Sequence, residues 1–248
     1  MAEELIINEI TPETCFVPAT DKGKGRRTAV APGQTAARYL HYGRITISAG
    51  DDAIIFNNNE HETGLVCLNG AARVTIGGEA FELSRYDSLY VPRDSQIEVH
   101  ASGEEGCDLA EVYAPVSKKY PVQFVSYKDV RANPKLHIIA GKPPAERDLN
   151  VLIGANVEAG RIMAGVTFSS PGNWTSWPPH EHSRMLEEAY LFIDMPAPAF
   201  GVQFVYTNPE KPELVQVVRE GEDRQYGVVN VQPEFAAGGS GLEAAAGK

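Results

Sequence analysis

Hydrophobic and polar residues alternate with a period of two along most of the chain. Short runs rich in β-branched and aromatic residues recur between turn residues, which is typical of half-buried β-strands. In the first half, Asn69-Gly70 and Gly77-Gly78 separate such runs, and both dipeptides favour hairpin turns. The runs themselves are Arg44–Ser48, Gly64–Leu68, Arg73–Ile76, Ser88–Val91 and Gln96–His100.

A second set of strand-like runs begins after residue 147 and follows a similar plan. Its members are Asn150–Ile153, Arg161–Ser169, Glu188–Ile193, Gly201–Tyr206 and Leu214–Arg219. The intervening stretch 115–147 carries one weak strand at Gln123–Tyr127 and one helical turn at Lys128–Asn133. Regular short strands with glycine and asparagine turns predict an all-β protein of sandwich or barrel type. We expect two tandem β domains, residues 1–120 and 121–248.

Composition narrows the possible partners. The chain has 248 residues and a net charge of −11, which argues against nucleic acid and anionic membranes as partners. Cys15, Cys67 and Cys107 form no CxxC pair, so reduced thiols are expected. The N-terminus has no apolar signal region, and no run approaches the roughly 20 apolar residues of a membrane helix. These features predict a cytoplasmic protein.

Two histidines separated by one residue carry the strongest chemical signal. His180 and His182 follow two prolines, and Glu187 and Glu188 come shortly after them. In a strand, residues i and i+2 point to the same face, so both imidazoles would enter one space. Two imidazoles with a carboxylate outline a metal site. The alternative is a surface His-x-His in a loop with two ordinary acidic residues beyond it.

The string PGNWTSWPPHEHSRMLEEAYLF at residues 171–192 resembles the bicupin uronate isomerases. These are 5-deoxy-glucuronate isomerase, the closer match, and 5-keto-4-deoxyuronate isomerase. Arg161 to Gly165 and the FVYT strand at 204–207 match further family motifs. The resemblance implies two tandem cupin (jelly-roll) barrels and a metal-dependent aldose–ketose isomerase acting on a deoxy-uronate through an enediol. A homo-oligomer is implied as well.

The resemblance also carries residue roles onto this sequence. His180 and His182 match metal ligands, and alignment on Glu-x-Tyr makes Glu188 the third ligand, whereas spacing from His182 selects Glu187. Zinc suits such a set, and manganese or iron also fits. The remaining assignments concern the sugar: Glu187 and Tyr190 are candidates for proton transfer, and Arg161, Trp177 and Gln203 are candidates for substrate binding.

The chain departs from the family pattern in both halves. No histidine follows His182, although the family takes its fourth ligand from a segment that would lie between Gly221 and Glu222. The resemblance therefore implies that the second barrel lacks a segment near its C-terminus, through either a real deletion or a loop left out of the recorded chain. A weaker alternative is that Gln232 replaces the histidine. In the first half only His61 stands near a cupin motif, which predicts a first barrel without metal and with a structural or assembly role. His41, His100 and His137 have no motif and are expected to be satisfied or solvated.

Two other functions fit parts of this pattern. Two histidines and one carboxylate without a fourth ligand also form the facial triad of non-haem Fe(II) oxygenases. A decayed site would instead leave a non-catalytic sugar-binding bicupin. The NWTSWPPHEH context favours the isomerase.

Overall fold

The computed structural model of the chain describes residues 11–175, 186–195, 198–206, 210–212, 214–219, 226–231, 236–237 and 241–247. The architecture is all-β, as the alternation predicted. No helix among these residues combines the length and the hydropathy needed to cross a bilayer. In chain order the elements are α1 (Pro12–Cys15), β1 (Phe16–Pro18), β2 (Gly25–Val30), β3 (His41–Ile47), β4 (Ile54–Asn57), β5 (His61–Gly70), β6 (Ala72–Ile76), β7 (Glu79–Leu83), β8 (Ser88–Val91), β9 (Gln96–Ala101), β10 (Cys107–Pro115), β11 (Gln123–Val125), α2 (Tyr127–Ala132), β12 (His137–Ala140), β13 (Arg147–Ile153), β14 (Ile162–Ser169), β15 (Leu186–Leu191), β16 (Gly201–Val205), β17 (Leu214–Val218), β18 (Tyr226–Val231), β19 (Ala236–Ala237) and β20 (Gly241–Gly247).

The first barrel consists of two antiparallel sheets with an apolar core between them. A six-stranded sheet has the order β11-β8-β5-β10-β3-β2, and a four-stranded sheet has the order β4-β9-β6-β7. Alternate residues of each strand enter the core, because successive side chains of a strand point to opposite faces. The core includes Ile45, Leu65, Val74, Leu109 and Val99, all with 0% of their surface exposed.

The second barrel repeats this plan with a larger and a smaller sheet. Seven strands lie in the order β1-β18-β15-β20-β14-β13-β12, and three lie in the order β17-β16-β19. Two strands pair across the predicted division: β1, from the first part of the chain, joins the seven-stranded sheet of the second barrel, and β11, which lies after residue 120, joins the six-stranded sheet of the first. The predicted division at residue 120 is therefore crossed by β-strand pairing on both sides.

One of the two predicted hairpin turns is wrong. Gly77-Gly78 does connect the paired strands β6 and β7, with Ile76 opposite Glu79. Asn69-Gly70 instead ends β5, which pairs with β8 and β10, and the chain then crosses to β6 in the other sheet. Gly70 has a φ of 68°, and a Cβ there would lie 2.0 Å from the carbonyl oxygen of Gly106. Glycine is needed here because the chain passes close to Gly106 where it crosses between the sheets. The Asn-Gly dipeptide alone does not distinguish such a crossing from a hairpin turn.

The two barrels pack through the outer faces of their larger sheets. A Cβ placed on Gly64 in β5 would lie 2.8 Å from Cδ1 of Ile153 and 3.2 Å from Cδ1 of Ile162, so the second barrel touches the backbone of the first at this glycine. Leu152 and Ile162 are buried in the same apolar cluster as Val112 of the first barrel. The fold therefore places the start of β14 and the face of β15 against the first barrel.

Candidate active site in the second barrel

Strand β15 sends its two adjacent glutamates to opposite sides of the sheet. Both carboxylate oxygens of Glu187 accept backbone N–H groups of the first barrel. Arg38 N–H donates to Oε1 at 3.0 Å, and the N–H groups of Tyr39 and Leu40 donate to Oε2 at 2.9 and 2.8 Å. Glu187 therefore faces the first barrel, and its neighbour Glu188 faces away from it.

Glu188 and Tyr190 share the opposite face of β15, which is the inner face of the second barrel. Glu188 is 5% exposed and Tyr190 is 1% exposed. Tyr190 belongs to a large apolar cluster that contains Val205, Leu214 and Val218 of the three-stranded sheet as well as residues of the first barrel. Because Glu187 faces the first barrel, the alternation of the strand directs Tyr190 to the other side. Burying a carboxylate is costly unless an ion or hydrogen-bond donors compensate it. The position of Glu188 suits a carboxylate that holds a cation.

Gln203 contributes a buried polar group from the opposite sheet. It lies on β16 with Val205 on the buried face, and 0% of its surface is exposed. Its side-chain N–H donates to the carbonyl of Phe204, while its Oε1 accepts no hydrogen bond from any of the residues that the structure describes. Gln216 is its direct neighbour across the β16–β17 pair. A buried carbonyl oxygen without a donor is the acceptor that a ligand hydroxyl can satisfy.

The predicted metal site includes residues outside those that the structure describes. Among those residues, no three His, Cys, Asp or Glu side chains are grouped to hold a metal ion. The predicted ligands His180 and His182, the predicted substrate contact Trp177 and the possible fourth ligand Gln232 all lie outside the described residues, as do Gly221 and Glu222. The described part contributes one buried carboxylate, which fits a site for a borderline divalent ion completed by imidazoles.

Arg161 lies at the contact between the barrels. Its backbone N–H donates to Glu62 of the first barrel, and its guanidinium carbon lies 4.7 Å from the centre of the Tyr39 ring. Residue 161 also immediately precedes Ile162, which packs on the first barrel. This position does not favour the predicted contact between Arg161 and a substrate carboxylate, which stays a prediction.

The first barrel carries different groups at the corresponding position. Glu62 of β5 matches Glu187, since it too accepts three consecutive backbone N–H groups of the other barrel. Thr63 then stands where Glu188 stands, and it is fully buried. Deeper in this barrel Glu111 forms a bidentate ion pair with Arg26, whose guanidinium lies 4.0 Å from the centre of the Phe56 ring. In this ion pair the Glu111 side chain is 1% exposed and the Arg26 side chain is 28% exposed.

His41, which has no sequence motif, meets His61 in the first barrel. The His41 ring stacks on Tyr113 with centroids 4.6 Å apart, and its centroid lies 4.9 Å from that of His61. Of the other two, His100 pairs with Glu98 at 2.7 Å and His137 lies 3.1 Å from Asp148. Reasoning from the sequence did not find the His41–His61 contact, because strand pairing, and not spacing along the chain, brings the two rings together.

Acidification should weaken the folded state through His41. Burial, followed by the neighbouring His61, lowers the pKa of His41 from its ordinary value of 6.5. A depressed pKa means that the folded state favours the neutral ring, so this stability is present above pH 6.5 and is lost as the pH falls through the lowered value. We expect urea unfolding between about pH 7.5 and about pH 5.5 to show a larger loss of stability for the wild type than for His41→Phe. Equal losses in both proteins would contradict this role.

A family model and several relatives resemble this chain. The model described as the KduI/IolB family matches residues 15–232. A 5-deoxy-glucuronate isomerase of Geobacillus kaustophilus is 26% identical over 216 residues, covering 80% of this chain and 75% of the relative. A 4-deoxy-L-threo-5-hexosulose-uronate ketol-isomerase of Bacillus pumilus is 32% identical over 159 residues, covering 62% and 56% respectively. The chain spans 46% to 75% of the length of such curated relatives.

Solved structures support the bicupin architecture. An IolB-like protein of Salmonella typhimurium superposes with a TM-score of 0.72 at 20% identity, covering 93% of this chain and 90% of that one. An oxalate decarboxylase of Bacillus subtilis superposes with a TM-score of 0.60 at 13% identity, covering 98% and 80%. At these identities the likeness shows the fold alone, and it confirms the predicted pair of cupin barrels.

Proposed function

Because the chain belongs to the KduI/IolB family, we propose that it is a metal-dependent aldose–ketose isomerase of a deoxy-uronate, with 5-deoxy-glucuronate as its substrate. The observation that carries the proposal is the buried carboxylate of Glu188 on the inner face of the second barrel, opposite the sheet that buries Gln203. The names of the relatives support the reaction class, because both are isomerases of six-carbon uronates. The partner is a small sugar acid, and assembly into a homo-oligomer stays a prediction.

Glu188, together with His180 and His182, would hold the metal. Zinc matches a His/carboxylate set, and manganese or iron is compatible with it. Held there, a divalent ion would supply Lewis-acid polarisation of the substrate carbonyl and stabilisation of the enediolate. The apolar surroundings of Tyr190 and Val205 limit the access of water to this space and strengthen electrostatic interactions within it.

The proton must then be moved between adjacent carbons by a side chain in the same space. Tyr190 lies on the inner face beside Glu188, two residues further along β15, and its hydroxyl can donate and accept a proton. Glu187 is the other candidate, but its two oxygens already accept three backbone N–H groups at the contact between the barrels. The geometry therefore favours Tyr190 over Glu187 as the group that transfers the proton.

Gln203 should bind a substrate hydroxyl through its buried Oε1. In Gln203→Leu we expect kcat/KM to fall about fivefold, mainly through KM, because a neutral hydrogen bond contributes roughly 1 kcal/mol. Steady-state kinetics measure the effect, with Gln96→Leu as the matched control, since Gln96 is exposed on the first barrel. An unchanged KM in Gln203→Leu would remove this residue from the substrate site.

Proton NMR of the two uronates tests the proposed function. The purified protein, supplied with zinc, is incubated separately with 5-deoxy-glucuronate and with 4-deoxy-L-threo-5-hexosulose uronate. We expect isomerisation of both at different rates, with the higher kcat/KM for 5-deoxy-glucuronate. A higher kcat/KM for 4-deoxy-L-threo-5-hexosulose uronate would identify that sugar as the substrate and leave the proposed reaction class unchanged. Oxygen consumption with bound iron would instead favour an oxygenase, and a folded protein that turns over neither sugar would favour a non-catalytic bicupin.

A further inference from the structure

Two glutamates cross the contact between the barrels in opposite directions. Glu187 of the second barrel accepts the N–H groups of Arg38, Tyr39 and Leu40, which immediately precede β3 of the first barrel. Glu62 of the first barrel accepts the N–H groups of three residues that immediately precede or begin β14 of the second barrel, at positions 160–162. We call these two sets of hydrogen bonds the Glu187 clamp and the Glu62 clamp.

The two clamps are physically joined. The guanidinium of Arg161, a donor residue of the Glu62 clamp, lies over the ring of Tyr39, a donor residue of the Glu187 clamp, at 4.7 Å. Such a cation–π contact is favourable and gains strength when it is partly desolvated. The barrels are thus held together by a continuous polar network in addition to their apolar contact.

The Glu62 clamp has further close contacts. Glu62 also accepts the hydroxyl of Tyr90 at 2.7 Å, and burial together with this carboxylate raises the pKa of Tyr90, so the hydroxyl stays protonated as a donor. A Cβ on Gly160 would lie 2.3 Å from Cγ2 of Val116 and 3.1 Å from Oε2 of Glu62, so only glycine allows the backbone to approach this closely. Hydrogen bonds from N–H groups to a carboxylate are stronger than neutral ones and fix direction.

The two clamps differ in the residue that follows each glutamate along its strand. Thr63 follows Glu62 and enters the first barrel, whereas Glu188 follows Glu187 and enters the second. Holding one residue of a strand fixes the direction of the next, because successive side chains alternate between faces. We propose that Glu187 is a positioning residue: by fastening β15 to residues 38–40 of the first barrel, it holds Glu188 in the direction that metal binding needs. This inference rests on the proposed function, and it gives the first barrel a role as scaffold for the site of the second.

Matched substitutions separate positioning from general stability. In Glu187→Gln and Glu62→Gln an amide N–H₂ replaces one oxygen and faces N–H donors, so both variants should lower the urea midpoint. We expect the zinc Kd to rise about 10- to 100-fold in Glu187→Gln, the range for residues that orient metal ligands, and to stay within about threefold in Glu62→Gln. Glu187→Asp, which keeps the charge, should fall between the wild type and Glu187→Gln. A zinc Kd that changes equally in the two glutamine variants, or in neither, would overturn the proposal.

Backbone amide exchange provides a readout that is independent of zinc. Exchange should accelerate at residues 38–40 and along Leu186–Leu191 in Glu187→Gln, and at residues 160–162 in Glu62→Gln. A wild type that binds no divalent metal would overturn the proposed function. Amide exchange alone would then test whether Glu187 holds β15 in place. Acceleration along β15 only in Glu187→Gln would support positioning, and unchanged exchange there would overturn it.

Discussion

Replacing Glu188 with glutamine should weaken zinc binding by more than about 100-fold and lower kcat by about 1,000-fold. The loss of a ligand should exceed the 10- to 100-fold effect of losing an outer-shell partner. Loss of the metal removes several kcal/mol of charge stabilisation in the transition state, and each 1.36 kcal/mol is about a factor of ten in rate. The urea midpoint should change little or rise, because the uncharged amide costs less to bury than the carboxylate.

The appropriate comparison for Glu188→Gln is the same chemical change at an exposed site. Glu79→Gln removes one carboxylate from β7 of the first barrel, where the side chain is exposed. We expect its zinc Kd and kcat to match those of the wild type. Zinc affinity is measured by competition with a chelator of known affinity, and kcat is measured by NMR. Full zinc affinity in Glu188→Gln would remove this residue from the metal site.

Breaking the buried ion pair of the first barrel should produce the largest loss of stability. In Glu111→Ala the guanidinium of Arg26 loses a bidentate partner inside the barrel, and we expect the free energy of unfolding to fall by about 3 kcal/mol. Burial raises the pKa of Glu111 in spite of the lowering effect of Arg26, so desolvation outweighs the pairing. The double variant Arg26→Met/Glu111→Leu should therefore recover most of the loss.

A surface pair on the same barrel serves as the control for this prediction. Arg73 and Glu82 approach to 2.5 Å across β6 and β7, but their side chains are 58% and 54% exposed. Glu82→Ala should change the free energy of unfolding by less than about 1 kcal/mol, because water screens exposed pairs. Urea unfolding of all three variants makes the comparison. If the free energy of unfolding falls no more in Glu111→Ala than in Glu82→Ala, the ion pair is not needed to stabilise the first barrel.

Much of the fold could be predicted from the alternation of residues. Predicted runs such as Ser88–Val91 and Leu214–Arg219 correspond to strands within one or two residues at each end. The burial of alternate positions in a strand produces this signal directly, so short β-strands with turn residues between them are readable. The exchange of β1 and β11 between the sheets was not predictable, because pairing between distant strands leaves no local periodicity.

The candidate site was only partly predictable for a related reason. Sequence reasoning narrowed the third ligand to two adjacent glutamates, and strand geometry placed them on opposite faces. Only the structure could show that residues 38–40, nearly 150 positions away, face Glu187. The same holds for Arg161, whose partners Glu62 and Tyr39 belong to the first barrel. Contacts between barrels depend on how the two domains pack, which neither spacing nor charge specifies.

The most direct test of metal-dependent isomerisation combines metal content and activity on one sample. The metal of the purified protein is measured by mass spectrometry, and turnover of 5-deoxy-glucuronate is followed by NMR before chelation, after chelation and after zinc is restored. We predict about one divalent metal per chain, loss of turnover on chelation and recovery with zinc. Turnover that persists in the metal-free protein, or a folded, metal-loaded protein that turns over neither uronate, would contradict the proposal.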